Sequence, residues 1–117
     1  MQQWTIYYNP KCGSCREALK LLKEKGIRPE MVEYLKNPPS VKTLNDLLRK
    51  LRVTPLEIMR AKEPIFDELK LGEGQKSRED LLRAISEHPV LLQRPIVVRS
   101  DGAAIIARPP EKVLELF

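Results

Sequence analysis

Thr5-Ile6-Tyr7-Tyr8 is a run of β-branched and aromatic residues broken by Asn9-Pro10, which predicts a short strand emptying into a loop. Beyond the loop, Cys15, Ala18, Leu19 and Leu22 recur at i, i+3, i+4 and i+7. That spacing predicts an amphipathic helix over 13–25, with Gly26 as its C′ residue. Met31-Val32-Glu33-Tyr34-Leu35 alternates well enough for a second strand. The first 35 residues therefore read strand, helix, strand, with the short connections of a βαβ unit.

The period then stays helical for a long stretch. Asn37-Pro38-Pro39-Ser40 is a turn cluster, and Ser40 can cap a helix carrying Val41, Leu44, Leu47, Leu48 and Leu51 at helical spacing. Thr54-Pro55 predicts a short helix reaching Arg60, Pro64 is read as an interruption, and Ser77 opens a further helix running to His88. At Pro95 the pattern changes to two strand-like runs, Pro95–Arg99 and Ala103–Ala107, around the hairpin signal Ser100-Asp101-Gly102. Pro109-Pro110 starts a last helix with Val113, Leu114 and Phe117. This order predicts an α/β, thioredoxin-like fold: a mixed four-stranded sheet with a helical insertion, about 38–90, between a β-α-β half and a β-β-α half. No linker composition or internal repeat divides the 117 residues, which reads as one domain.

Composition narrows the class. A hydrophobic content of 42% can build a core without staples, and 21 Lys+Arg against 16 Asp+Glu leaves only +5, the balance of an ordinary soluble globule. No apolar run is long enough to span a membrane, and Met1-Gln2-Gln3-Trp4 lacks the character of a secretory signal, so a cytoplasmic location is expected. The basic segment Leu48-Arg49-Lys50-Leu51-Arg52 has leucines at helical spacing and no interleaved aromatics, so it reads as an amphipathic helix and not as a nucleic-acid patch. Two cysteines and one histidine are too few for a structural zinc site, and no metal is expected.

What remains for the cysteines is thiol chemistry. Cys12 falls at or just before a helix N-terminus, where unsatisfied N–H groups and the helix dipole favour a thiolate. Lys11 and Arg16 are expected to push the same way. Cys15 lies on the apolar face of the helix; it is either core filler or, three residues from Cys12, a partner close enough for a disulfide. Arg60, Arg94 and Arg108 each sit at the edge of an element, and in this fold the last two edges approach the cysteine loop. Clustered guanidinium groups there would bind a tetrahedral oxyanion through charge-assisted hydrogen bonds. Arg94-Pro95 opens a strand as a cis bond beside an active thiol would. His88, before Pro89, reads as a capping or surface residue.

Taken together, Tyr7, Asn9-Pro10, Cys12-Gly13, Arg16, Asn37-Pro38-Pro39, Arg60, Arg108-Pro109 and the run His88-Pro-Val-Leu-Leu-Gln-Arg-Pro-Ile-Val-Val98 resemble the ArsC family, the glutaredoxin-coupled arsenate reductases. The resemblance covers nearly the whole chain. It implies Cys12 as nucleophile toward arsenate, Arg60, Arg94 and Arg108 as oxyanion ligands, no bound cofactor, and glutathione with glutaredoxin as electron donors. Three departures stand out: Tyr8 where the family commonly has a histidine, Cys15 where its reductases usually lack a cysteine, and an end at Phe117 without the tail of some members. Tyr8 shifts the work of forming the thiolate onto the helix end and the arginines. Cys15 adds an intramolecular Cys12–Cys15 disulfide as an alternative release route. The C-x-x-C pair also resembles related Spx-type regulators, which bind RNA polymerase, whereas Arg108-Pro109 and Asn9-Pro10 fit the reductase pattern. An ArsC-like oxidoreductase acting on another substrate is the third reading.

Overall fold

The computed structural model describes residues 3–117; Met1 and Gln2, part of the N-terminal stretch considered for a signal, lie outside the described residues. Strand β1 (Thr5–Tyr8) forms where its β-branched and aromatic residues predict, and Ile6, Tyr7 and Tyr8 are buried. Asn9 closes the following turn locally: its side-chain oxygen accepts from the Lys11 N–H at 3.0 Å and its carbonyl from the Cys12 N–H at 2.9 Å. Helix α1 (Gly13–Glu24) buries the predicted stripe of Cys15, Ala18, Leu19 and Leu22. It ends at Gly26, whose φ of +80° is a left-handed conformation open to a residue without Cβ.

Strand β2 (Glu30–Glu33) pairs parallel with β1, Thr5 opposite Glu30 and Tyr8 opposite Glu33. It stops short of the predicted Leu35 because the Lys36 and Asn37 N–H groups both donate to the Glu33 carbonyl, closing a turn that contains Tyr34. Strand β3 (Ile96–Val98) runs antiparallel to β1, and β4 (Ala104–Ile106) antiparallel to β3. The sheet order β2-β1-β3-β4, mixed in direction, is the thioredoxin-like arrangement expected. The hairpin turn is clamped by Asp101, which takes two hydrogen bonds from the Arg99 guanidinium at 2.9 and 2.8 Å and one from the Ala103 N–H at 3.1 Å.

The C-terminal segment corrects the sequence reading. Pro110–Leu116 is a 3-10 helix packed on α1 and β4. Its three-residue turn aligns Val113 with Leu116, and these two are buried while Leu114 and Phe117 are exposed. Phe117 instead stacks on Trp4, ring centroids 5.1 Å apart.

The described chain forms two compact units: the sheet unit, comprising residues up to Asn37 together with Arg94–Phe117, and a helical unit, Pro38–Gln93. In the helical unit α2 (Val41–Leu51) is capped by Ser40, whose hydroxyl accepts from the Thr43 N–H at 3.1 Å. Arg49 and Lys50 on its outer face pair with Asp46, as befits an ordinary amphipathic helix. Pro55–Ile58 is a single 3-10 turn that does not reach Arg60. Met59 is extended and bridges Leu92, and the Arg60 and Gln93 N–H groups donate to the Leu91 and Ile58 carbonyls, so non-local pairing satisfies backbone that a longer helix would have used. Pro64 does not interrupt; it opens α3 (Pro64–Glu68) in the first-turn position where its missing N–H costs nothing. Helix α4 (Arg78–Glu87) is capped by Ser77 and packs on α2, and His88 caps its C-terminus, its N–H on the Ala84 carbonyl at 2.8 Å. Among the described residues no helix is long and apolar enough to cross a membrane.

Candidate active site

Cys12 occupies the N-cap of α1, held there by the turn that Asn9 closes. Its sulfur therefore lies at the end of the helix where first-turn amides lack intrahelical partners. Cys12 is 8% exposed, Cys15 fully buried, and both thiols are free. Burial by itself pushes the Cys12 thiol up, but the Cys15 N–H, the Cys15 thiol and the Arg94 guanidinium together outweigh it and hold Cys12 below the ordinary thiol value. The neutral thiol makes no capping hydrogen bond; the thiolate is the form these donors favour. Cys15 goes the other way. Burial pushes it up to about 12, and the neighbouring Cys12 sulfur adds to the rise against the pull of the Asn9 N–H and Arg94. The environment thus pushes two chemically identical groups apart, Cys12 toward the thiolate and Cys15 toward the protonated thiol.

The sequence placed the wrong cations against Cys12. Arg16 turns back and donates from Nη1 to the Pro10 carbonyl at 2.8 Å, bracing the loop, and Lys11 is exposed. The cation that lowers the thiol is Arg94. Arg94 leads into β3 through a cis bond to Pro95, and its Nε and Nη1 are shielded from solvent with no hydrogen-bond partner among the described residues. A desolvated, unpaired donor costs the fold free energy, so its presence beside a thiolate marks a place made for an anion. The ladder between β3 and β4 continues with the Ala107 N–H on the Pro95 carbonyl at 2.9 Å, and this carries Arg108 next to Arg94. Arg108 is exposed and donates from Nη1 to the Arg94 carbonyl at 3.3 Å. Sheet pairing thus sets Arg108 beside Arg94, the residue whose guanidinium acts on Cys12. Arg60 belongs to the helical unit, where it follows extended Met59 and pairs with Glu63 at 3.2 Å.

Tyr34 was missed. It is 1% exposed, and burial pushes its phenol up to about 12; Arg94 opposes the rise, Cys15 and Cys12 add to it, and the Asn9 side chain hydrogen-bonds it. The available signal was topological: parallel pairing brings the C-terminal ends of β1 and β2 to the same edge, so the residues after Glu33 emerge beside those after Tyr8. Tyr8 itself is buried in the same apolar cluster as Cys12 and Cys15.

Known proteins are similar to this chain over nearly its whole length. The model of the ArsC family matches residues 7–116. The uncharacterized protein YfgD of Escherichia coli K12 is 47% identical over 98% of this chain and 97% of its own length. An arsenate reductase of Rhizobium meliloti is 44% identical over 97% of this chain and 80% of its own. The solved structure of an arsenate reductase from Vibrio cholerae, 44% identical, superposes with a TM-score of 0.93 over 99% of this chain and 98% of that one. The matched span begins inside β1 and ends in the C-terminal 3-10 helix, so it takes in the cysteine loop and all three arginines, and the chain belongs to the ArsC family.

Proposed function

We propose that this protein reduces arsenate to arsenite at Cys12, drawing electrons from glutathione and glutaredoxin in the cytoplasm. One observation carries the reading: a thiol held below its ordinary pKa lies beside the Arg94 guanidinium, two of whose nitrogens are buried without a partner. The Cys12 thiolate attacks arsenic, a protonated oxygen leaves as water, and a sulfur–arsenic(V) bond forms without change of oxidation state. Arg94 and Arg108, with Arg60 as the third ligand that the family resemblance implies, donate to the arsenate oxygens as charge gathers on them. A glutathione thiolate then attacks the Cys12 sulfur. A sulfur–sulfur bond forms, the sulfur–arsenic electron pair stays on arsenic, and arsenite departs. Glutaredoxin and a second glutathione reduce the resulting mixed disulfide, so two thiols supply the two electrons. Cys15, pushed up to about 12, is a poor thiolate near neutral pH, which favours the external thiol over an internal disulfide as the release route.

The pair of free thiols at the start of α1 supports a second reading, a redox-sensing regulator that binds RNA polymerase. A coupled assay separates the two. Arsenite should form with glutathione plus glutaredoxin and not with thioredoxin alone; a silent protein that captures RNA polymerase would establish the regulator instead.

A further inference from the structure

A cavity of about 220 Å3 lies against the cysteine loop, with Tyr8, Pro10, Lys11, Glu33, Leu35 and Lys36 among its lining residues. None of these six takes part in the steps above. Tyr8, Pro10 and Leu35 give it apolar walls, and Leu35 is 41% exposed. Glu33 and Lys36 offer opposite charges 3.6 Å apart, and Lys11 adds a second cation. Such a lining suits neither a lone inorganic anion, which Glu33 would repel, nor a metal cation, which two lysines would repel. It suits a zwitterionic amino-acid head with a further carboxylate. The volume is below the roughly 300 to 1,000 Å3 of a pocket that swallows a whole small ligand, so one arm enters and the rest stays outside. The rest would lie toward Cys12, because the cavity is walled by the end of β1 and by the Asn9–Lys11 loop that leads into Cys12, and Tyr8 packs in the same cluster as Cys12. The exposed Glu33–Lys36 pair holds together weakly and opens at little cost.

We propose that this cavity is the subsite of the resolving thiol and takes the amino-acid end of a γ-glutamyl thiol peptide of the glutathione type. Its carboxylate lies at Lys36, its ammonium at Glu33 and its second carboxylate at Lys11, which leaves the thiol facing the Cys12 sulfur. The inference rests on the reading that an external thiol resolves Cys12, but its test needs no arsenate. In a Cys15→Ser protein, Cys12 is loaded as the mixed disulfide with 5-thio-2-nitrobenzoate. Attack by glutathione at the Cys12 sulfur then forms the glutathione mixed disulfide and releases coloured thionitrobenzoate, the better leaving group. The release rate should saturate with glutathione and, at low concentration, exceed that with glutathione diethyl ester by about fivefold. Lys36→Glu should bring that ratio close to one, and Lys36→Arg should keep it. A rate linear in glutathione, or a ratio that Lys36→Glu leaves unchanged, would overturn the subsite. Saturation in a protein that makes no arsenite would instead remove arsenate as substrate and leave the subsite standing.

Discussion

Two nitrogens of the Arg94 guanidinium, Nε and Nη1, are shielded from water without a partner, and from these the fold gains nothing. Arg94→Ala should lower arsenate turnover by one or more orders of magnitude, the loss of a charged ligand to a developing oxyanion being worth about 3 kcal/mol. Melting temperature should hold or rise; loss of folding with activity per folded molecule intact would make the residue structural. The same variant should move the pH profile of Cys12 alkylation upward, because the positive charge beside the sulfur favours its thiolate. An unmoved profile would show that the helix end alone sets the thiol. Cys12 and Arg94 were legible in the sequence because both stand at the ends of elements whose order fixes where those ends meet. Lys11 and Arg16 were misjudged because adjacency along the chain is not proximity of charge: Arg16 spends its donor on the Pro10 carbonyl. Tyr34 was illegible because only the pairing of β2 on β1 brings it to the thiols.

Helix α1 and the C-terminal 3-10 helix show where periodicity is a sufficient guide and where it is not. Over the twelve residues of α1 the i, i+3, i+4, i+7 stripe and the buried stripe coincide, because the helix is long enough to present one face. In Pro110–Leu116 the turn tightens to three residues, so that Leu116 is buried and Leu114 exposed, which a seven-residue window cannot reveal. Leu116→Ala should therefore cost about 2 to 5 kcal/mol in urea unfolding, and Leu114→Ala well under half of that. Equal losses would mean that the segment is an α-helix. In the helical unit, Ser77→Ala removes the hydroxyl that accepts from the Asp80 N–H and should cost about 1 kcal/mol. Arg60 was misplaced at a helix end because the Met59–Leu92 bridge joins segments far apart in sequence and leaves no local mark.

At the scale of the whole molecule, the order of strands and helices was readable and the mixed sheet follows from it, while the division of the described chain at Asn37 and Arg94 coincides with the change of period at each end of the helical stretch. The buried thiol and phenol of the sheet unit tie its stability to pH. Cys15 and Tyr34 hold their protons up to about 12 in the folded protein, against ordinary values of 9.0 and 10.0. As pH rises past about 9 the unfolded chain gives up protons that the native state keeps, so stability should fall from there toward pH 12. The urea midpoint should accordingly drop between about pH 8 and about pH 10.5, and less steeply in Cys15→Ser; a rising midpoint would show that these groups are not buried as described. The proposed reaction stands on one thiol, and arsenite formation by three proteins with glutathione and glutaredoxin tests it most directly. Wild type should turn over, Cys15→Ser should stay within a few fold of it, and Cys12→Ser should be inactive although folded. Arsenite production by Cys12→Ser at the wild-type rate would contradict the mechanism.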